Sequence, residues 1–441
     1  MKKILILGAG RSSSALITYL LDKAASNDWQ LIVTDTSAEL AEEKIKGNKN
    51  GKAVKLDISQ QAETGKLISE TDLVISLLPL DFHLPIAKAC LAASKTLLTA
   101  SYLSPEIQTL DTEASQKGIA ILMEMGLDPG IDHMSALAEI NNIQKKGGKI
   151  TGFRSYTGGL VAPESDNNPW HYKVTWNPRN VVLAGQGTVK YLENGKFKFI
   201  PYHRLFSRIE KIEIEQYGDF EGYANRDSLH YIKTYGLEHV QTFIRGTLRK
   251  KGYCSAWNCL VQLGMTDDSY MVENSTGMTY KELTASFLDD SNINTVQRIL
   301  CRYLNISESS DEMIKLKWLG IFSNDKIGIN GTPAQIIQQL ITKKWKLNPE
   351  DKDMIVMQHQ FEYDMNGKPG KTISSLVVKG EDQQNTAMAK TVGLPLAITA
   401  MLILQDKLKI KGVKIPTEPE IYLPVLAELK TLGIEFKTEE K

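Results

Sequence analysis

The sequence predicts an α/β fold: a doubly wound domain built on a parallel sheet, followed by an α+β domain with a mixed or antiparallel sheet and a helical insertion. Three observations carry this. Short apolar runs alternate with helix-spaced segments through the first third of the chain. A glycine-rich turn follows the first of these runs. Farther on, alternating apolar and polar stretches meet at Asn-Gly pairs.

The apolar runs lie at residues 4–7, 31–33, 53–56, 73–78, 96–99 and 119–123, each flanked by turn residues. The segment after the first run places Ala15, Leu16, Tyr19 and Leu20 on one helical face. Near-continuous apolar strands separated by helices require a parallel sheet covered on both faces. Six such units in succession fit a dinucleotide-binding, Rossmann-type domain.

The first turn reads Gly8-Ala9-Gly10-Arg11-Ser12-Ser13, the G-x-G-x-x-G/A pattern with Ser13 in third place. Gly8 permits the tight turn, and Gly10 lets the backbone approach a pyrophosphate on the helix N-terminus. Ser13 is small enough for helix–strand packing and carries a hydroxyl able to reach phosphate. Asp35 ends the second run, 22 residues beyond Ser13. A carboxylate there accepts from a ribose 2′-OH and repels a 2′-phosphate, so NAD is expected ahead of NADP. Its other role would be a helix cap. Lys44 and Lys46, downstream, weaken the discrimination. Asp57, Leu77, Leu78 and Pro79 follow strands three and four, where open sheets bind ligands. Asp57 is equally suited to capping a helix before Ser59.

After residue 150 the pattern changes. Residues 188–192 and 196–200 alternate around Asn194-Gly195, and 353–363 and 371–379 around Asn366-Gly367, predicting hairpins that share a sheet. Between them, helical segments are expected near 280–290, 293–304, 310–322 and 332–345, and a late helix over 387–404 returns to the first domain. The expected domains are 1–127 with 386–441 for the nucleotide, 128–268 with 346–385 for the substrate, and 269–345 as the helical insertion.

The charge count, 52 basic against 52 acidic residues, gives no overall field toward nucleic acid or anionic membrane. Four cysteines, none spaced C-x-x-C, form neither a disulfide framework nor a metal site. The apolar run 393–404 is about half of the ~20 residues that span a bilayer, and the run 4–7 is too short for a secretory signal. The expectation is a cytoplasmic protein whose partner is a small molecule, with no nucleic acid, membrane or metal. A homodimer is compatible with the sequence.

Residues suited to chemistry cluster in three places: Thr99-Ala100-Ser101-Tyr102, Gly126-Leu127-Asp128-Pro129-Gly130-Ile131-Asp132-His133, and Arg226 with Arg245-Gly246-Thr247-Leu248-Arg249. The first two follow strand ends, where a nicotinamide sits. Asp128 and Asp132 suit turns and caps as well as chemistry, and His133 suits an ordinary first helical turn. Arg245, flanked by Phe243, Ile244 and Leu248, belongs on a partly buried strand, and a buried arginine needs a carboxylate or phosphate partner.

These motifs, with Leu77-Leu78-Pro79, Gly158-Gly159-Leu160, Asn225-Arg226-Asp227-Ser228 and the stretch from Ala387 to Pro395, run in order along the whole chain. Together they resemble saccharopine dehydrogenase of the glutamate-forming type. The resemblance implies oxidation of saccharopine, with NAD or NADP, to an imine that water hydrolyses to L-glutamate and 2-aminoadipate 6-semialdehyde, or the reverse condensation. It implies substrate contacts at Ser101, Tyr102, Asp128, Arg226, Thr247, Leu248 and Arg249, with Asp128 or Tyr102 relaying the proton. Cofactor contacts are expected at Gly8, Gly10, Arg11, Ser12, Ser13, Asp35, Asp57, Leu77, Leu78, Ala100, Ser101 and Leu127. Where members of that family carry a cysteine before the paired glycines, this chain has Thr157, which cannot become a thiolate. Two other readings stand beside it: a carbon–nitrogen ligating reductase for cationic polyamines, and a non-catalytic dinucleotide sensor.

Overall fold

The computed structural model describes residues 1–289 and 292–441. Its contacts divide into two units: Met1–Ile150, Asp364–Lys368 and Leu376–Glu439 form the first, and Thr151–Tyr363, Pro369–Ser375 and Glu440–Lys441 the second. Residues 128–150 therefore group with the first unit and residues 269–345 with the second.

The first unit is built on β1 (Lys2–Leu7), β2 (Trp29–Asp35), β3 (Gly51–Lys55), β4 (Leu73–Ser76), β5 (Thr96–Thr99) and β6 (Ala120–Leu122). All six expected apolar runs become strands. They lie in the order β6-β5-β4-β1-β2-β3, and every adjacent pair is parallel. A seventh strand absent from the expectation, Gly412–Lys414, extends the sheet beside β6. The chain reverses its direction of winding between β1 and β4, which is where doubly wound sheets open a ligand crevice. Leu5, Leu7, Val74, Leu97 and Ile121 are fully buried in one core cluster, each worth about 1.5–3 kcal/mol of apolar burial.

The helix Ser14–Asn27 buries Leu16, Ile17, Leu20 and Leu21 and stops at Asp28, whose φ of 53° is left-handed. The late helix, Ala387–Leu404, is capped by Thr386 accepting from Ala389 N at 3.0 Å. It does return to the first unit. At Gly393 a Cβ would stand 3.0 Å from Leu16 Cβ and 3.1 Å from Ser12 O, so only glycine allows the helix to lie this close to the glycine-rich turn. The apolar run 393–404 is thus part of an 18-residue helix, long and apolar enough by itself to cross a membrane; 78% of it is buried inside the fold, as in a core helix.

The second unit contains β7 (Gly148–Val161), β8 (Thr188–Glu193), β9 (Lys196–Pro201), β10 (Glu210–Ile214), β11 (Gly218–Ala224), β12 (Thr242–Lys250), β13 (Asp353–Met365) and β14 (Lys368–Lys379). The order is β10-β11-β12-β7-β13-β14, with the strand Lys437–Glu440 at the edge beside β14, and the β8–β9 hairpin attaches to β12. The sheet is mixed: β11 and β12 are antiparallel, while β12 and β7 are parallel. Both expected Asn-Gly turns form, with positive φ at Asn194, Gly195, Asn366 and Gly367, the requirement of a type I′ hairpin.

Helices Tyr280–Ser286, Val296–Leu304, Asp311–Leu319 and Pro333–Lys344 correspond to the four expected segments. The first ends short of 290, which lies outside the described residues. Capping boxes at Thr279/Glu282 and Thr332/Gln335 fix two of their starts. Beneath the sheet, Trp170, Tyr172, Tyr253, Trp257 and Trp345 form a buried ring cluster. The Tyr172–Trp345 centroids are 5.1 Å apart and Tyr253 stacks on Trp257 at 5.8 Å. Each such pair adds about 0.5–1.5 kcal/mol beyond its buried area.

Candidate active site

Two clusters of candidate residues form, one in each unit. In the first unit the candidates follow the carboxyl ends of successive strands, as parallel topology dictates. Gly8 has φ +101°, a conformation that glycine adopts readily, and a Cβ on Gly10 would point into open space, leaving its backbone accessible. This is the shape a pyrophosphate requires. The Ser13 hydroxyl, expected to reach phosphate, instead donates to Gly10 O at 2.8 Å and tightens the turn. Asp35 is not a helix cap: Ser37 caps the next helix, accepting from Leu40 N. Asp35 Oδ2 accepts from Ala9 N at 2.9 Å and Oδ1 from Ser37 N at 3.3 Å, so it joins the glycine turn to the end of β2. Lys44 donates to Ser14 Oγ at 2.7 Å. Asp57 Oδ1 closes its own turn, accepting from Ser59 N at 2.9 Å and Ser59 Oγ at 2.7 Å, and these bonds lower its pKa. Leu77 and Leu78, directly after β4, are half-buried, and Leu127 is buried.

Ala100, Ser101 and Tyr102 follow β5. The Tyr102 hydroxyl donates to Asp128 Oδ1 at 3.3 Å, bringing two residues 26 positions apart into one pair. Below them lies an acid–imidazole network. Glu124 N donates to Ser101 O at 3.0 Å, and Glu124 Oε1 accepts from Leu103 N at 2.9 Å. Its Oε2 sits 2.8 Å from His133 Nε2, and both side chains are almost completely buried. Asp132 Oδ1 accepts from Gly130 N at 2.6 Å. His133 and Asp132 therefore brace the loop from within.

Two first-unit residues escaped the sequence reading. Glu124 stands two residues beyond the end of β6. His83 lies 2.6 Å from Ser101 Oγ through Nε2, with Ser76 Oγ and Thr99 Oγ1 at 3.3 and 3.5 Å from Nδ1. Burial pulls its imidazole down to about 4, opposed by a backbone hydrogen bond to Leu78. No local spacing marks either residue.

In the second unit, two-residue periodicity puts Arg245, Thr247 and Arg249 on one face of β12 and Leu248 on the other. Leu248 packs tightly against Gly158, where a Cβ would stand 2.9 Å from the Leu248 Cβ and 2.8 Å from its carbonyl oxygen. The Arg245 guanidinium lies 4.3 Å over the Tyr231 ring. Arg226, just past β11, is exposed with φ 50°, and its carbonyl accepts from Lys190 N at 2.9 Å.

Arg249 is only 3% exposed. Its guanidinium lies 5.2 Å from the Tyr172 and Tyr253 ring centroids and 5.9 Å from Tyr223. Nη1 donates to Leu248 O at 3.0 Å, and Nε has no partner. Glu221, directly opposite in the β11–β12 register, accepts from Gly252 N at 2.7 Å and Cys254 N at 2.9 Å instead. Among the described residues, the hydroxyls of Thr157 and Tyr172 are also buried without partners, and that of Tyr223 has no neighbour within full hydrogen-bonding geometry besides its approach to Thr247. Burial raises the Tyr223 pKa to about 12, so its hydroxyl keeps its proton as a donor. A buried cation held over three tyrosine rings, with no carboxylate partner among the described residues, can take an anion as its counter-ion. Tyr172 and Tyr223 also escaped the sequence reading, because only folding brings these distant residues to β12.

Residues 4–122 match the saccharopine dehydrogenase NADP binding domain and residues 126–434 the saccharopine dehydrogenase C-terminal domain. The chain is 33% identical, over all of its length and 99% of the relative's, to "Saccharopine dehydrogenase [NADP(+), L-glutamate-forming]" of Schizosaccharomyces pombe. It is 33% identical to mouse "Alpha-aminoadipic semialdehyde synthase, mitochondrial", over 99% of this chain and 48% of that longer protein. The ligand-free, histidine-tagged saccharopine dehydrogenase (L-Glu forming) of Saccharomyces cerevisiae superposes with a TM-score of 0.90 at 31% identity, covering both chains entirely. Matched by both family models and alike to these enzymes along its full length, this chain belongs to the L-glutamate-forming saccharopine dehydrogenase family.

Proposed function

We propose that the chain interconverts saccharopine with L-glutamate and 2-aminoadipate 6-semialdehyde in lysine metabolism, with the residues above in the following roles. The observation that carries this reading is Arg249, a buried guanidinium without a carboxylate partner, in a chain whose other unit has the nucleotide fold. Saccharopine has three carboxylates; one of them is the counter-ion this pocket lacks. Arg249 would hold it through charge-assisted hydrogen bonds, with the hydroxyls of Tyr172, Tyr223 and Thr157 as neighbouring donors. Thr247 and Arg226 serve the remaining carboxylates. A cationic polyamine would be repelled here, which disfavours the ligating-reductase alternative.

The Gly8–Ser13 turn and Asp35 would hold the dinucleotide. When bound, the nicotinamide accepts the hydride that leaves the lysine-derived carbon, or returns it in the condensation. The bridging nitrogen of saccharopine must be unprotonated for that step, and a lysine-type ammonium keeps its proton to pH ~10. Asp128, oriented by the Tyr102 hydroxyl, is the group we assign to take that proton. Water then adds to the imine carbon, and the carbon–nitrogen bond breaks to release glutamate.

The fungal relatives are named for NADP(+), whereas a carboxylate ends β2 here. Asp35 supports NAD in this chain, because a 2′-phosphate would meet its negative charge. Purified protein mixed with saccharopine and each nucleotide, followed by the absorbance of reduced nicotinamide, tests both points. The expected result is turnover with kcat/KM higher for NAD than for NADP. Absence of turnover with both would overturn the activity, and a preference for NADP would overturn the role of Asp35.

A further inference from the structure

We infer that His83 is a positioning residue for this reaction, holding the Ser101 hydroxyl in the rotamer that meets the bridging nitrogen of the substrate. The inference rests on the reading of Ser101 as a ligand contact. His83 opens the helix His83–Ala92, directly after the Leu77-Leu78-Pro79 turn, and its ring lies buried between the ends of β4 and β5. Ser101 is held at three points. Its N–H donates to Thr99 Oγ1 at 3.3 Å, its carbonyl accepts from Glu124 N at 3.0 Å, and its Oγ lies 2.6 Å from His83 Nε2. A half-buried serine would otherwise sample three rotamers; these contacts select one.

Burial keeps the ring neutral at ordinary pH, so it offers the three surrounding hydroxyls one N–H and one lone pair. The Ser101 hydroxyl is thereby held in one place beside the end of β5, where the bridging nitrogen of the substrate would meet it.

Three substitutions test this. His83→Asn keeps an amide near the Nδ1 position and loses contact with Ser101, whereas His83→Gln reaches the Nε2 position with an amide oxygen. Ser101→Ala removes the hydroxyl itself. Steady-state kinetics with saccharopine, nucleotide affinity by fluorescence titration and thermal unfolding are measured for each, and for H83N combined with S101A. We expect S101A and H83N each to lower kcat/KM for saccharopine about tenfold, the double variant to be no worse than S101A, and H83Q to recover most of the loss. Nucleotide affinity of H83N and H83Q stays within about twofold of the parent protein. Losses that multiply in the double variant, or an H83N defect as large for nucleotide as for saccharopine, would overturn the inference. Should H83N fail to fold, H83Q decides alone: near-native kinetics supports the inference, and a defect matching S101A refutes it. An S101A variant with unchanged kinetics would instead refute the reading of Ser101 as a ligand contact.

Discussion

The two polar clusters treat buried charge in opposite ways. Around Ser101 and Tyr102, Glu124 is matched by His133 and the Leu103 N–H, so the loop is braced whether or not a ligand is present. Around Arg249, polar atoms are buried and unmatched. Satisfied networks rigidify, while unsatisfied ones hold free energy that a complementary ligand can release. The loop after β5 is therefore braced from within, whereas the Arg249 cluster buries polar atoms that nothing among the described residues satisfies.

Charge removal should separate them most sharply. Replacing Arg249 with Met should lower kcat/KM for saccharopine by about 10²–10³-fold, the loss usual for a desolvated charge partner. Its thermal midpoint should hold or rise, because an unpaired buried charge is gone. A large fall in Tm with binding intact would erase the contrast. Glu124→Ala should do the reverse, costing about 3–5 kcal/mol of stability in chemical denaturation by stranding His133 and the Leu103 N–H. An unchanged midpoint there would show that the brace is dispensable.

A third comparison uses His83. Its folded-state pKa is depressed to about 4, below an unfolded value near 6.5. The unfolded chain therefore binds a proton that the folded chain refuses. Stability at this residue is intact above pH ~6.5 and falls as the pH drops to about 4, by about 3 kcal/mol. His83→Gln should remove that segment of the acid dependence, measured as denaturation midpoints at pH 7 and pH 4.5. Parallel pH profiles in the two proteins would argue against it. Smallest is Tyr223→Phe, which removes one unmatched hydroxyl. We expect Tm to rise slightly and KM for saccharopine to increase about tenfold, and an unchanged KM would remove Tyr223 from the receptor.

The parts of the fold legible in the sequence were those written locally. Runs such as 4–7 and 73–78 are apolar enough to mark buried parallel strands, and Asn194-Gly195 and Asn366-Gly367 carry positive φ that few other pairs tolerate. Gly412–Lys414 was not legible: three residues show no period, and their place depends on β6 being there to pair with. The site divides in the same way. Gly8, Gly10 and Asp35 stand in a spaced motif, and Thr247–Arg249 in a recognisable stretch. His83, Glu124, Tyr172 and Tyr223 gain meaning only from neighbours that the fold supplies. The family likeness could carry Ser101 and Asp128 forward, but not the hydrogen bonds that orient them.

The close approach at Gly393 has a consequence for synthesis. The helix that lies on the glycine turn and the edge strand Gly412–Lys414 leave the ribosome more than 370 residues after that turn. Most of the second unit, Thr151–Tyr363, emerges in between. The second unit interrupts the first, so a nascent chain can assemble the sheet around Arg249 before its nucleotide fold is closed.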